Sequence, residues 1–588
     1  MSGASPLKRS EVSTLSSIFK ARVDTSPKDE ALRFFDSNAQ QWKSTNWIDA
    51  YQQVIKVRDA LLAENISVGD RVLIAIPNSP TWIYIEQAAL NMGLVIVALP
   101  TSDSVSTIAH VADDIKAKII FTDSDNKSHS LLSSNYIQQN DVPVVCYRKE
   151  NENISATYFD SWRNQKSSSE DSIPTSVLEN DLATIIYTSG SCEKPRGVKH
   201  SHKNIINNAF ACLERIDVNS SDKMLSVTPI SHCMERIAGY YVAMIAGASI
   251  IFPKSGDTIL EDLTQSQATI LVTAPHYLTR AYRRLFNNLS YGTKLIDQYL
   301  DYLHGTGKWR LKFLFWPIIR NKVEKKAKKL LLHQLKFVIS GGSALPPKIV
   351  SLSNLLHLPL LEGYGLTEAG GVVSTNSISL NRPFSVGKPL CNAEVRLTFE
   401  NELLVKSDSL MLGYWNDPKP DEPIEWLETQ DIVRLEDDYI FIDGRKNQTI
   451  HLSTGEAILP LPIERQLTQD SLFENVMLYG ENQEKLSLFC QLNSEEWKVF
   501  LEKYAKRKEL KSKEFTDRLH SILLVRINAL LQSIPGRPHI NFVFPTLEPW
   551  SVENGLLNAQ GKVIKESVKY YFAKEIAKLG LNTNRKSS

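Results

Sequence analysis

The run from Tyr187 to His202, YTSGSCEKPRGVKHSH, constrains this chain more than any other stretch. An apolar, strand-like segment, Leu182 to Tyr187, leads into it, and a helical pattern leaves it from Asn204 onward. A strand, a small-residue loop and a helix in that order make an α/β unit with a phosphate cradle at its turn. Thr188, Ser189 and Ser191 offer short hydroxyls, and Gly190 and Gly197 would let backbone come close to a ligand. Lys194, Arg196 and Lys199 bring positive charge where a polyphosphate needs it. The G-x-x-x-x-G-K-[ST] order of a Walker A loop is absent.

At 588 residues the chain is too long for one hydrophobic core, so two or more domains are expected. Hydrophobic residues at 42%, charged residues at 23% and a formal net charge of +1 argue against disorder and give no global pull toward nucleic acid. The six cysteines (Cys146, Cys192, Cys212, Cys233, Cys391, Cys490) show neither a C-x-x-C pair nor zinc-ligand spacing to histidine, which points to a reduced, intracellular protein. The first residues lack the apolar core of a signal peptide, and the longest apolar run, Ile237 to Phe252, falls short of a bilayer span. A cytoplasmic location is expected, with any membrane contact peripheral at the inner face.

Between Trp42 and Asp123 the pattern alternates. Ile48 to Asn65 has amphipathic helical spacing, Arg71 to Ile76 reads as a strand, Thr81 to Met92 as a helix and Val95 to Leu99 as a strand. Asn164 to Thr175 reads as a linker. Further on, a strand ending in Gly341-Gly342 is followed by Tyr364-Gly365, Thr367 and Glu368. That set offers a flat aromatic for a base, a hydroxyl for phosphate and a carboxylate for Mg²⁺. Trp309, Phe313, Phe315 and Trp316 are interleaved with bases that continue to Lys329. Such a run suits either an anionic membrane surface or a solvated helix packed on the protein.

Several of these runs resemble the adenylate-forming superfamily of acyl-CoA synthetases, luciferases and adenylation domains. The phosphate run is similar to that family's YTSG-[ST]-TG-x-PKGV, with Cys192, Glu193 and Arg196 in place of its Thr, Gly and Lys. GDRVLIAIPNSPTWIYIEQAALNMGLVIVALP looks like the opening of an acyl-CoA synthetase, and TPISHCMERIAGYYVAMIAGASIIFP resembles the long-chain branch, with His232, Glu235 and Arg236 in its motif. Leu278 stands where that branch has a gating Trp, and Gln430 where the family has Gly before the aspartate Asp431. ELLVKSDSLMLGYWNDP, DGRKNQ, STGEAILPLPIE and ENGLLNAQGK continue the likeness.

The resemblance implies a large N-terminal α/β domain of layered sheets and helices, residues 1–444, and a small mobile C-terminal α+β lid, residues 445–588. Asn447 is the expected hinge. It implies a long-chain fatty acid–CoA ligase with ATP, Mg²⁺ and CoA as cofactors and a fatty acid or related carboxylate as partner. Lys562, Glu368, Thr188 and His232 would serve the chemistry, Glu368 also as metal ligand. Ser189, Gly190, Ser191, Lys194, Arg196, Gly341, Gly342, Tyr364, Gly365, Thr367, Asp431 and Arg445 would hold the nucleotide, with the last two on the ribose, and Gly455 would lie near pantetheine. An acyl-AMP ligase loading a carrier protein, and a weakly catalytic binding protein on the same scaffold, remain alternatives. Nucleic acid is not an expected partner, and residues 309–329 are the expected membrane contact.

Overall fold

The computed structural model describes residues 4–151, 156–165, 177–188, 195–287, 321, 335–355, 357–417, 423–504, 513–534, 536, 538–551, 553–558 and 562–577. Within them two large sheets carry the N-terminal part. In the first, strands Leu360–Tyr364, Phe337–Ser340, Ile270–Thr273, Lys223–Ser226, Ser249–Ile251 and Glu30–Asp36 lie side by side and parallel. In the second, Leu182–Thr188 runs parallel to Val95–Ala98, followed by Arg71–Ala75, Ile119–Ser124 and Val144–Arg148. The central strands, such as Arg71–Ala75, Val95–Ala98, Ile270–Thr273 and Phe337–Ser340, are short apolar runs buried on both faces, the signature of a parallel sheet covered by helices, whereas Glu30–Asp36 buries only Ala31 and Leu32.

The helices lie where the periodicity predicts them. Trp47–Leu62 and Pro80–Asn91 form either side of the Arg71–Ala75 strand, and His202–Arg215 follows the phosphate run. Ser79 caps the second helix by accepting from the Trp82 amide, with Pro80 at its first position, where no amide donor is missed. Ser201 and Asn204 exchange bonds in a capping box that starts the third. Pro80–Asn91 buries residues all round, so it is a core helix rather than a surface one.

The apolar run that falls short of a bilayer span is explained by this packing. Glu235–Tyr241 is a wide π-type helix continuing into Val242–Ala246, and Gly247 at φ +80° turns the chain into strand Ser249–Ile251. Its helical part is buried in the main core, beside Trp82, which meets Tyr240 edge to face at 6.2 Å. Burying a side chain of that size stabilises by about 2–3 kcal/mol. The polar members are paired: Gln87 donates to Tyr240 Oη at 2.7 Å and Tyr241 donates to Glu86 Oε1 at 2.8 Å. No helix among the described residues is long and apolar enough to cross a membrane.

Beyond the parallel sheets, an antiparallel sheet of Ala393–Leu397, Glu402–Ser407, Leu427–Glu436 and Tyr439–Arg445 carries the next segment of chain. A separate apolar cluster then draws wholly on residues from Ile450 to Val543, around the strands Phe473–Tyr479, Leu486–Leu492 and Ile540–Thr546. Of the expected linker, Asn164 to Thr175, the first two residues instead close the helix Phe159–Gln165, and the rest lies outside the described residues, as do 309–320 and 322–329.

Two histidines at the end of the phosphate run are buried and neutral. His200 Nε2 donates to the Thr367 carbonyl at 2.7 Å, and His202 Nδ1 accepts from the Leu15 amide at 3.1 Å. Burial lowers each to about 4 from an ordinary 6.5. Both take up a proton more readily unfolded than folded, so their stabilising effect is complete above pH 6.5 and is lost as pH falls toward 4. His200→Gln, which keeps a donor at the Nε2 place, should flatten the fall in denaturation midpoint between pH 6.5 and 4. The part removed should be on the order of 3 kcal/mol.

Candidate active site

The carboxyl ends of the parallel strands Phe337–Ser340 and Leu360–Tyr364 deliver the glycine pair and the aromatic to one place, as open crevices of parallel sheets do. Gly342 takes φ +82°, and a side chain there would meet nothing within 4 Å, so its backbone borders open space. Gly341 is small for a different reason: a Cβ would lie 2.3 Å from Met234 Sδ. Gly365 is more constrained, since its Cβ would come 1.9 Å from the Gly371 carbonyl oxygen. That close approach folds the Tyr364-to-Gly371 turn on itself and sets Thr367 and Glu368 at the cleft.

Asp431 joins two sheets. Its carboxylate accepts Tyr364 Oη at 2.6 Å and Arg445 Nε at 2.8 Å, and its own amide donates to Thr429 Oγ1. Arg445 lies directly opposite Asp431 in the antiparallel pairing, so the ion pair follows from register. Gln430, at the family's glycine position, takes φ +62°, a left-handed backbone that costs an L-residue about 1–2 kcal/mol. It is held there by Glu402 Oε1, which accepts both its amide and its side-chain nitrogen. Lys446 pairs with Glu402 and Glu400, and Asn447 sits in the short 3-10 turn Lys446–Gln448.

Lys562 arrives from far along the chain. A bridge between Leu557 and Val563, with Lys562 N donating to Asn558 Oδ1, presents the side chain. Its Nζ donates to the Gly342 carbonyl at 2.8 Å. The residue is exposed along its length, yet its ammonium end is desolvated among protein groups. That desolvation lowers its pKa, Arg445 adds to the effect and Asp431 opposes it. His232 is close enough to feel the Lys562 charge, and burial together with that charge and Arg236 keeps the imidazole neutral. Beside it, burial raises the Glu235 carboxyl to about 8, offset only by the Ser226 hydroxyl at 2.6 Å.

On the phosphate side, Thr188 Oγ1 donates to the Arg196 carbonyl at 3.4 Å across the strand pair. The Arg196 guanidinium sits 3.4 Å from the centroid of the Tyr414 ring. Gly197 corrects the sequence reading: a Cβ there would meet Ile185, Trp415 and Tyr187 at 2.8–3.2 Å, so it is glycine for packing rather than for approach to a ligand. Ser189, Gly190, Ser191, Cys192, Glu193 and Lys194 lie outside the described residues. Gly455 occupies the turn of the Ile450–His451 and Ala457–Ile458 hairpin at φ +88°, and its amide bonds to Leu452 within that turn. Leu278 is buried in the core with Leu225 and Val338.

The sequence reading gave no role to Tyr414, His200 or Met234. Tyr414 donates to Glu368 Oε1 at 3.2 Å, His200 holds the Thr367 carbonyl, and Met234 lines an apolar cavity with Cys212, Ala238, Ile339, Tyr364 and Val372. Each lies inside a run already singled out, His200 in YTSGSCEKPRGVKHSH, Met234 in TPISHCMERIAG and Tyr414 in GYWNDP, but nothing local marked them out from their neighbours.

The set fits a magnesium nucleotide. Among the described residues no cation pairs with the Glu368 carboxylate, a hard oxygen donor suited to Mg²⁺. The open backbone at Gly342, the Tyr364 ring and the Lys562 ammonium surround the same cleft.

The chain belongs to the AMP-binding enzyme family, which matches residues 19–415. It is similar to fatty acyl-CoA synthetase A of Dictyostelium discoideum, 25% identical, with 89% of this chain and 84% of that protein covered. It is also similar to long chain acyl-CoA synthetase 3 of Arabidopsis thaliana, 25% identical, with 95% and 90% covered. The solved structure of the anthranilate CoA ligase AuaEII in complex with anthranoyl-AMP matches with a TM-score of 0.73 at 17% identity, over 97% of this chain and 100% of that one. That last likeness speaks for the fold.

Because a methyl group at Gly365 would strike a backbone oxygen, no side-chain rotation relieves it. Gly365→Ala should lower stability by about 2 kcal/mol or more. ATP binding should weaken with it, as the Tyr364–Asp431 bond shifts. Urea midpoints and nucleotide titration on the same variant check both.

Proposed function

We propose that the protein is a long-chain fatty acid–CoA ligase that forms AMP. The observation that carries the reading is the Lys562–Gly342 contact at 2.8 Å, which sets the lysine of the ENGLLNAQGK run on the glycine turn beside Tyr364, Thr367 and Glu368. The fatty-acid class is supported by the likeness to acyl-CoA synthetases over most of the chain.

In the first half-reaction the acid's carboxylate oxygen attacks the α-phosphorus of ATP, and pyrophosphate leaves. Lys562, whose ammonium end sits on the cleft wall, stabilises negative charge as the bond to pyrophosphate lengthens. Gly341, Gly342 and Tyr364 hold the adenine, Asp431 and Arg445 the ribose, and Thr367 the α-phosphate. Thr188 and Arg196, with Ser189, Gly190, Ser191 and Lys194, hold the outer phosphates. Glu368 would hold Mg²⁺, which supplies charge neutralisation on the phosphates when bound. Neutral His232 borders the acyl carboxylate.

In the second half-reaction the pantetheine thiol of CoA attacks the acyl carbonyl and AMP leaves. No protein nucleophile is required, since the mixed anhydride is already activated. Residues 445–588 would move as a lid about Asn447 to withdraw Lys562 and bring Gly455 to the pantetheine, with residues 1–444 as the fixed body.

ATP–pyrophosphate exchange with a panel of fatty acids tests the reading, and exchange driven by long-chain acids is the expected result. Lys562→Ala should reduce exchange by about a hundredfold or more, while thiolysis of supplied acyl-AMP changes by less than about tenfold. Absence of exchange with every acid of the panel would favour a binding protein on this scaffold, and transfer to a carrier protein but not to CoA would favour a carrier-loading ligase.

The aromatic and basic run from Trp309 to Lys329 serves as a peripheral contact with the anionic inner face of a membrane. It should sediment the protein with phosphatidylserine vesicles at low salt and release it as salt rises. Trp309→Ala combined with Trp316→Ala should abolish that sedimentation.

A further inference from the structure

We propose that Tyr414 is a positioning residue that locks Arg196 and Glu368 into one unit, so that the phosphate-binding cation and the metal-binding carboxylate are set together. The inference rests on the nucleotide reading of those two residues given above.

Tyr414 belongs to the two-residue strand Gly413–Tyr414, which pairs with the outer edge of Arg196–Ser201, Gly413 opposite Lys199 and Tyr414 opposite Val198. Two flanking bonds extend the pairing: Leu412 N donates to Lys199 O at 2.9 Å and Trp415 N to Gly197 O at 2.7 Å. The Trp415 indole donates to the Asp114 carbonyl at 3.2 Å and anchors the segment to the end of the helix Val105–Asp114. From this fixed backbone the Tyr414 ring reaches in two directions.

Its face carries the Arg196 guanidinium at 3.4 Å, close contact for a cation over an aromatic ring. Arg196 also lies 3.8 Å from the Asp417 carboxylate, so its position is set by two neighbours on the same segment. The Tyr414 hydroxyl meanwhile donates to Glu368 Oε1 at 3.2 Å. The Glu368 backbone is tied to this segment as well, its carbonyl accepting from Met411 N at 2.9 Å.

A glutamate has three freely turning side-chain bonds, and ordering them at the moment of binding costs affinity. A donor that fixes one oxygen beforehand leaves the other aimed for a metal, the usual work of a group behind a metal ligand. The same ring fixes Arg196, which would otherwise sample many rotamers. One side chain therefore prepays two orderings, and removing its hydroxyl releases only the first.

The test compares binding of Mg·ATP with binding of AMP in EDTA, by calorimetric titration of the full-length protein. Tyr414→Phe keeps the ring under Arg196 and loses only the bond to Glu368. It should raise the Mg·ATP Kd about tenfold, as expected for a hydrogen bond to a charged group, and leave the AMP Kd within about twofold. The unliganded melting temperature should stay put. In a cycle of Tyr414→Leu, which removes the ring as well as the hydroxyl, with Arg196→Gln, the two losses in Mg·ATP affinity should combine to less than their product. Equal weakening of both ligands, or of neither, overturns the proposal, and so does a fully multiplicative cycle. Glu368→Gln separates two failures. If it weakens Mg·ATP while Tyr414→Phe does not, the brace alone is wrong; if it changes nothing either, the metal assignment falls and the brace with it.

Discussion

The cleft depends on one carboxylate. Asp431 is 5% exposed and would be costly to bury as a charge without partners. Its partners come from different sheets, Tyr364 from the end of a parallel strand and Arg445 from the neighbouring antiparallel one. Because the same carboxylate must satisfy both, the two sheets are registered against each other at the point where the nucleotide would lie. Tyr364 is raised well above its usual phenol range by burial and by Asp431, so it remains a donor and keeps that registration.

Around this clamp the other groups are arranged by steric necessity more than by attraction. Three glycines near the cleft are small for three separate reasons: Gly365 to pass a backbone oxygen, Gly341 to admit Met234, Gly197 to let Tyr187 and Trp415 pack. Gln430 shows the converse, a larger residue in a left-handed conformation tolerated because Glu402 takes two of its donors. Glu402 is itself buried and balanced by Lys446, the first residue of the 3-10 turn that includes the expected hinge. A departure from the family pattern at one position is thus compensated locally and leaves the Asp431 geometry intact.

Charge in the cleft is controlled by desolvation. Glu235, bonded to Ser226, is raised to about 8 by burial, and His232, within reach of the Lys562 charge, is lowered, so near neutrality one is a carboxylic acid and the other a neutral imidazole. The lysine, whose own pKa is lowered by burial, places its side-chain nitrogen directly on the glycine turn. An arrangement of that kind suits a reaction in which negative charge grows on a departing phosphate and little proton transfer is needed.

Much of this was legible in the sequence, because it depends on neighbours along the chain. Helix and strand periodicity placed Trp47–Leu62, Arg71–Ala75, Pro80–Asn91 and Val95–Ala98 nearly to the residue, since burial on one or both faces writes itself into local spacing. The motifs likewise named Tyr364, Glu368, Asp431, Arg445 and Lys562. Tertiary structure alone decided how they meet. The contact between Lys562 and Gly342 spans 220 positions, and that between Tyr414 and Glu368 spans 46. Nor could composition tell a glycine needed for backbone approach from one needed for a neighbour's side chain, as Gly197 proved to be. Local pattern encodes which face is buried; which distant group it is buried against is set only when the sheets have packed.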